Sequence, residues 1–179
     1  MNRMQEQVLE FMLPGKYPIC SRGFGYTDFQ KPVQLPTGEV TNFREYLLRR
    51  CNWIKEEENE LRNAIENNDV IETVDALADL LYFVFGTAIS MGIDIEKFFD
   101  IVHKSNMAKF IPCPRCLGIG KIPLPRNKTD IACPTCSGHR ILAIYRKSDG
   151  KLIKPVDWQA PDLTHELTTQ QGKLNVKET

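Results

Sequence analysis

The sequence predicts an all-α chain, an antiparallel helical bundle broken by one small irregular insert. Three observations carry that prediction. Apolar residues recur at helical spacing through most of residues 41–110. Strand-like alternation is scarce. Residues 111–143 instead hold five prolines, three glycines and two CxxC pairs, with no helical period. At 179 residues the chain can bury a core without disulfides. A composition of 42% hydrophobic and 26% charged residues excludes a disordered or fibrous chain. The N-terminal MNRMQEQVLEF lacks the apolar stretch of a signal peptide. The longest apolar run, Leu77 to Met91, contains Asp79, Gly86, Thr87 and Ser90, so it reads as too short and too polar to span a bilayer. A cytoplasmic location is expected, with thiols reduced or held by a metal.

Each element has its own warrant. Residues 2–12 read as a short helix with Met4, Val8, Leu9 and Met12 on one side. Residues 13–40 are rich in proline and glycine and read as a long, mostly irregular connection. Thr41 is placed to cap a second helix, in which Phe43, Leu47, Ile54, Leu61 and Ile65 fall near helical spacing. That helix should stop at Asn67–Asn68. Asp69, with Glu72 three residues on, has the form of a capping box for a third helix. Gly92 suits its C-terminal stop, and Asp94 caps a fourth helix over 95–110. The expected domains are a helical core of residues 1–110 and 144–163, an insert at 111–143, and a polar tail at 164–179.

The chain's 23 basic and 23 acidic residues cancel. By position they do not. Residues 56–79 hold nine acids against Arg62 alone, a net of −8. Residues 103–154 hold eleven bases against Asp130 and Asp149, a net of +9. Concentrated acid must be solvated, paired or metal-bound. Concentrated base suits phosphates.

The acids are ordered. Glu56, Glu57 and Glu60 lie within one helical turn, and Glu72, Asp75 and Asp79 share one face of the next helix. Like charges so placed destabilise a helix unless something compensates. The EExxE run alone fits a solvated helical face. Asp75 and Asp79 do not, because Asp is a poor mid-helix residue and no Lys or Arg occurs from Val70 to Ile95. Ile71, Val74, Leu77, Ala78, Leu81 and Phe85 supply an apolar packing face beside them. Six carboxylates without sulfur or imidazole describe a site for Mg²⁺ or Mn²⁺.

Cys113-x-x-Cys116 and Cys133-x-x-Cys136 form two CxxC pairs, a strong signal for a structural Cys₄ Zn²⁺ site in a zinc-ribbon-like insert. Gly118, Gly120 and Gly138 let the backbone bend round the sulfurs. CPRCLGIG and CPTCSGHR also resemble the repeated units of DnaJ-type zinc modules. Cys20 and Cys51 read as ordinary buried thiols.

EEENEL, ETVDALADLLYFVFGTAISMGID and VHKSNMAKF together resemble the all-α nucleoside triphosphate pyrophosphohydrolases, the superfamily of MazG, the dimeric dUTPases and phosphoribosyl-ATP pyrophosphohydrolase. SNMAKF and SDGKLIKPVDWQAPDL resemble a MazG-like branch common in bacteriophage and some bacteria. The likeness covers about residues 41–110 and 144–163; the cysteine insert departs from the family pattern. It implies Mg²⁺-dependent hydrolysis of a (deoxy)nucleoside triphosphate to monophosphate and pyrophosphate, with purine deoxynucleotides the first expectation. It implies Glu57, Glu60, Glu72 and Asp75 as metal ligands, Asp79 as a ligand or its support, and Glu56 as the group orienting or deprotonating water. Asn106 and Lys109, with Lys151 and Lys154 in the second segment, would hold phosphates. A homodimer or homotetramer is expected. No membrane partner is expected. A nucleic-acid partner is not favoured, because residues 111–144 hold no aromatic side chain for stacking. The alternative function is a zinc-ribbon nucleic-acid-binding or adaptor protein on an inactive helical core. Phe24, Tyr26 and Phe29 are weak candidates for covering a nucleobase.

Overall fold

The computed structural model describes residues 1–20, 26–124 and 127–174. Phe24 and Arg126 lie outside the described residues, as do the side chains of Tyr26 and Lys128. Helices dominate, as expected: α1 (Arg3–Met12), α2 (Phe43–Glu66), α3 (Val70–Ser90), α4 (Ile95–Met107) and α5 (Thr164–Leu174). The strands are short and form three two-stranded sheets: β1 (Pro32–Gln34) with β2 (Val40–Asn42), β3 (Ile111–Pro112) with β6 (Ile141–Leu142), and β4 (Lys121–Leu124) with β5 (Asn127–Ala132).

The chain divides into two compact units. One comprises Met1–Phe98 with the segment from Leu163 onward, the other Phe99–Asp162. This division differs from the one read in the sequence. Residues 144–162 join the cysteine-bearing unit, and residues 164–174 form a helix rather than a polar tail. In the first unit Gln170 of α5 accepts from Asp94 N–H at 2.9 Å and donates to Asp94 O at 3.1 Å, which ties α5 to the α3–α4 turn.

Local chemistry explains the helix ends. Asn42, not Thr41, caps α2, its side chain accepting from Glu45 N–H. The α2–α3 turn is a Schellman motif: Asp69 N–H returns to Ala64 O at 2.9 Å and Asn68 N–H to Ile65 O at 3.1 Å, with Asn68 left-handed at φ 57°. Asp69 then caps α3 by accepting from the Ile71 and Glu72 amides. One tight turn thus ends α2 and starts α3, so the two run antiparallel. The 13–40 connection is more ordered than its composition suggests: a 3₁₀ turn at Tyr26–Gln30 leads into the β1–β2 hairpin, registered Val33 to Thr41.

Two apolar clusters form the first unit's core. Leu35, Phe43 and Tyr46 make one; Val8, Met12 and Ile89 make the other. On α1, Gln5 takes the buried place expected for Met4, donating its amide to Ile93 O at 3.2 Å. Arg50 sets the α2–α3 register. Its guanidinium is buried and donates to Thr87 Oγ1, Tyr46 OH and Phe83 O at 2.9, 3.1 and 3.1 Å. Gly86 makes room for it, because a Cβ there would lie 2.3 Å from Arg50 Nη2.

Two expectations need correction. The apolar face of α3 is not covered by the described residues: Ile71 is 81% exposed, Val74 61% and Leu81 50%. The membrane argument from run length also fails. As a whole helix, α3 is long and apolar enough to cross a bilayer by length and composition, with mean hydropathy 1.4. Against that reading, Asp75 and Asp79 occupy its middle turns, where a bilayer exacts about 3 kcal/mol per charge.

Candidate active site and metal centre

The antiparallel α2–α3 pair brings Asp75 and Asp79 of one acidic triad within electrostatic range of Glu57 in the other. Glu57 is the focus. Its carboxyl is pushed above the ordinary range, first by burial and then by the charges of Glu60, Asp79, Glu56 and Asp75. Those four residues come from both helices, so Asp75 and Asp79 of α3 lie within electrostatic range of Glu57 on α2. Glu57 Oε2 is buried and has no hydrogen-bond partner. An orphaned buried carboxylate oxygen is costly unless a cation meets it. Among the described residues, none of Glu56, Glu57, Glu60, Asp75 and Asp79 forms an ion pair with Lys or Arg, and Arg62 is taken by Glu58. Glu72 stands one turn nearer the start of α3 and is exposed. The donor set is all oxygen, half-exposed and open, which suits a Mg²⁺ or Mn²⁺ ion that keeps waters and takes substrate oxygens.

The second unit holds the cationic candidates. Lys109 Nζ donates to Asn106 Oδ1 at 2.6 Å and sits 5.5 Å from the Trp158 ring centre. Lys154 Nζ lies over the same ring at 4.0 Å. Lys151 is separate from that ring and lines a shallow cavity of about 460 Å³ with Arg146 and Lys154. Arg146 is paired with Asp149. The sequence reading missed Trp158, although it lies inside a segment that resembles the family.

The four cysteines of the insert converge. Their sulfurs all lie within 4.8 Å of one another and all four side chains are buried. Cys113 and Cys133 sulfurs are 3.9 Å apart, Cys116 and Cys136 sulfurs 3.7 Å. Tetrahedral Zn²⁺ with Zn–S bonds of about 2.3 Å requires sulfur separations of about 3.8 Å. The residues therefore fit zinc. Two equivalent knuckles build the site. Leu117–Gly118 and Ser137–Gly138 are left-handed, and Cys113 N–H and Cys133 N–H bind Arg140 O and Gly120 O at 2.9 and 2.8 Å. Gly120 is required, since a Cβ would meet Gly138 O at 2.7 Å. Without metal the thiols share protons unequally. Burial pushes Cys136 up to about 11. At Cys133 burial pushes the same way, but the Cys136 and Thr135 amides prevail and hold it at about 6.

His103 stacks on Phe99 with ring centres 6.4 Å apart. Trp53 packs between Phe83 and Arg50 in the first unit. Cys20 is half-buried, and Cys51 is exposed rather than buried.

Residues 28–106 match the sequence pattern of the family described as phosphoribosyl-ATP pyrophosphohydrolase. The matched span contains both carboxylate triads and Asn106, and it stops before the cysteine module. It supports the superfamily that the acidic motifs resemble, and with it a pyrophosphohydrolase acting on a nucleotide. No curated protein matches the chain by sequence.

Proposed function

We propose that the chain hydrolyses a nucleoside triphosphate to the monophosphate and pyrophosphate, with Mg²⁺ or Mn²⁺ at the α2–α3 carboxylates. The observation that carries this reading is the orphaned Glu57 Oε2 at the focus of carboxylates from two helices. It is supported by the family match over the same helices. Glu57, Glu60, Glu72, Asp75 and Asp79 would hold the ion. When bound, the ion neutralises phosphate charge and polarises the phosphoryl oxygens. Glu56, exposed one residue before Glu57, takes the proton of the attacking water. Asn106, Lys109, Lys151 and Lys154 supply donors for phosphate oxygens. Zinc at the four cysteines is structural, since four thiolates leave no open position.

Purine deoxynucleotides are the proposed substrates, and the cytoplasm, a host's if the chain is phage-encoded, the proposed location. The exposed α3 stripe of Ile71, Val74, Leu77 and Leu81 supports a homodimer or homotetramer, in which a second copy covers it. Pyrophosphate release across the four ribo- and four deoxynucleoside triphosphates, with Mg²⁺ and with Mn²⁺, tests the reaction. Light scattering at micromolar concentration tests the assembly; a monomer would exclude the second copy.

A further inference from the structure

We infer that Trp158 is the positioning residue of an oligophosphate-binding cation cluster, holding the ammonium groups of Lys109 and Lys154 on one indole. The inference rests on the proposed nucleotide reaction for its substrate and on the geometry of the second unit alone for its structure.

The indole is fixed from two sides. Helix α4 ends at Met107, and its last carbonyls lack helical donors. Lys109 N–H, which a continuing helix would give to Ser105 O, goes to Asn106 O at 3.1 Å instead. Trp158 Nε1–H donates to that Ser105 carbonyl at 2.7 Å. The indole is therefore a C-terminal cap of α4. From the other side, Trp158 N–H donates to Pro155 O at 3.1 Å and closes a turn. That turn returns Lys154, four residues earlier, over the ring at 4.0 Å.

The result is unusual in charge. Two lysines that would otherwise sample many rotamers share one aromatic ring. Among the described residues neither forms an ion pair with a carboxylate. Asn106 accepts from Lys109, which leaves its amide N–H groups as further donors beside the ammonium. Two unneutralised ammoniums and an amide, held by one half-buried ring, suit a chain of phosphates better than a single carboxylate. Trp158 does not touch substrate in this account; it acts through the lysines.

The chain has two tryptophans, so Trp53→Phe leaves Trp158 as the sole indole reporter. Inorganic tripolyphosphate should then produce a saturable change in its emission, with the midpoint weakened roughly tenfold by Lys154→Ala. No change up to millimolar tripolyphosphate would overturn the inference. In kinetics, Trp158→Ala should raise KM for the nucleotide roughly tenfold with kcat little changed. Trp158→Phe keeps the ring face and loses the N–H, so it should fall between. Should Trp158→Ala misfold, as judged by zinc content and helicity, Trp158→Phe decides: an unchanged KM, or a kcat loss at unchanged KM, contradicts the positioning role. If the wild-type protein hydrolyses no nucleotide, the reaction assignment falls, while the tripolyphosphate titration still decides this inference.

Discussion

The α2–α3 acidic pair and the cysteine module solve opposite problems with charge. The module gathers four buried sulfurs at spacings that one ion satisfies completely. The acidic pair gathers carboxylates that remain open to solvent, with a single buried oxygen left unmet. Among the described residues, the cysteines alone bring three or more ligand atoms within 4.8 Å of one another. Soft thiolates with no vacancy make a site that holds a fold together. Hard oxygens with vacancies make a site that waits for ions, water and phosphate. The proposed function thus sets metal as structure beside metal as reagent in one chain.

The largest effects should separate the two. Glu57→Ala or Asp75→Ala should cut pyrophosphate release on the order of a thousandfold or more, several kcal/mol of barrier, with helicity kept. Circular dichroism and a dNTP assay check both halves, and full activity in both variants would remove the carboxylates from the reaction. Cys113→Ser or Cys133→Ser should take zinc from one ion per chain to near none. Structural zinc in isolated finger peptides contributes about 10–16 kcal/mol, so the module should lose protection from proteolysis. Unchanged metal content by mass spectrometry would contradict the Cys₄ assignment.

A smaller effect tests what holds the acidic pair in register. Gly86→Ala should destabilise the first unit by about 1–3 kcal/mol, because the new methyl meets the Arg50 guanidinium. Denaturant midpoints measure it. A neutral outcome would mean that Arg50 can leave its site without cost.

The smallest effect concerns protons. Glu57 titrates above the ordinary carboxyl range in the metal-free fold. The folded state therefore binds its proton more tightly than the unfolded chain does. Stability from this group is present below the unfolded value and is lost as pH rises through the raised folded one. Metal-free Tm should fall slightly over that window, and Mg²⁺ should reverse the fall. Glu57→Gln should abolish the pH dependence and the Mg²⁺ response together. Cys133 behaves oppositely in the zinc-free module, held near 6 by the Cys136 and Thr135 amides against burial.

Much of this was legible in the sequence because it is local. The Asp69 cap, the antiparallel α2–α3 turn and the sulfur cluster all follow from residues close together in the chain. What was missed depends on distant partners. Arg50 looks like a surface base until Phe83, Thr87 and Tyr46 surround it. Trp158 gives no period and no spacing, and its use appears only when Ser105, 53 residues earlier, accepts its N–H. Met4 lost its expected place to Gln5 because Ile93 O offered the amide a partner that hydrophobicity cannot foresee. The uncovered face of α3 was misread for the same reason, since periodicity marks an apolar face without naming what covers it.

The central claim is that the α2–α3 carboxylates hold a divalent ion for triphosphate hydrolysis while the cysteines do not. Pyrophosphate release from a dNTP panel, by wild type and Asp79→Asn, with and without added Mg²⁺, tests it most directly. The account predicts Mg²⁺-dependent release of pyrophosphate and nucleoside monophosphate by the wild type, and near-complete loss in Asp79→Asn with zinc content unchanged. Release that persists in Asp79→Asn, or that needs no added divalent ion, would contradict it.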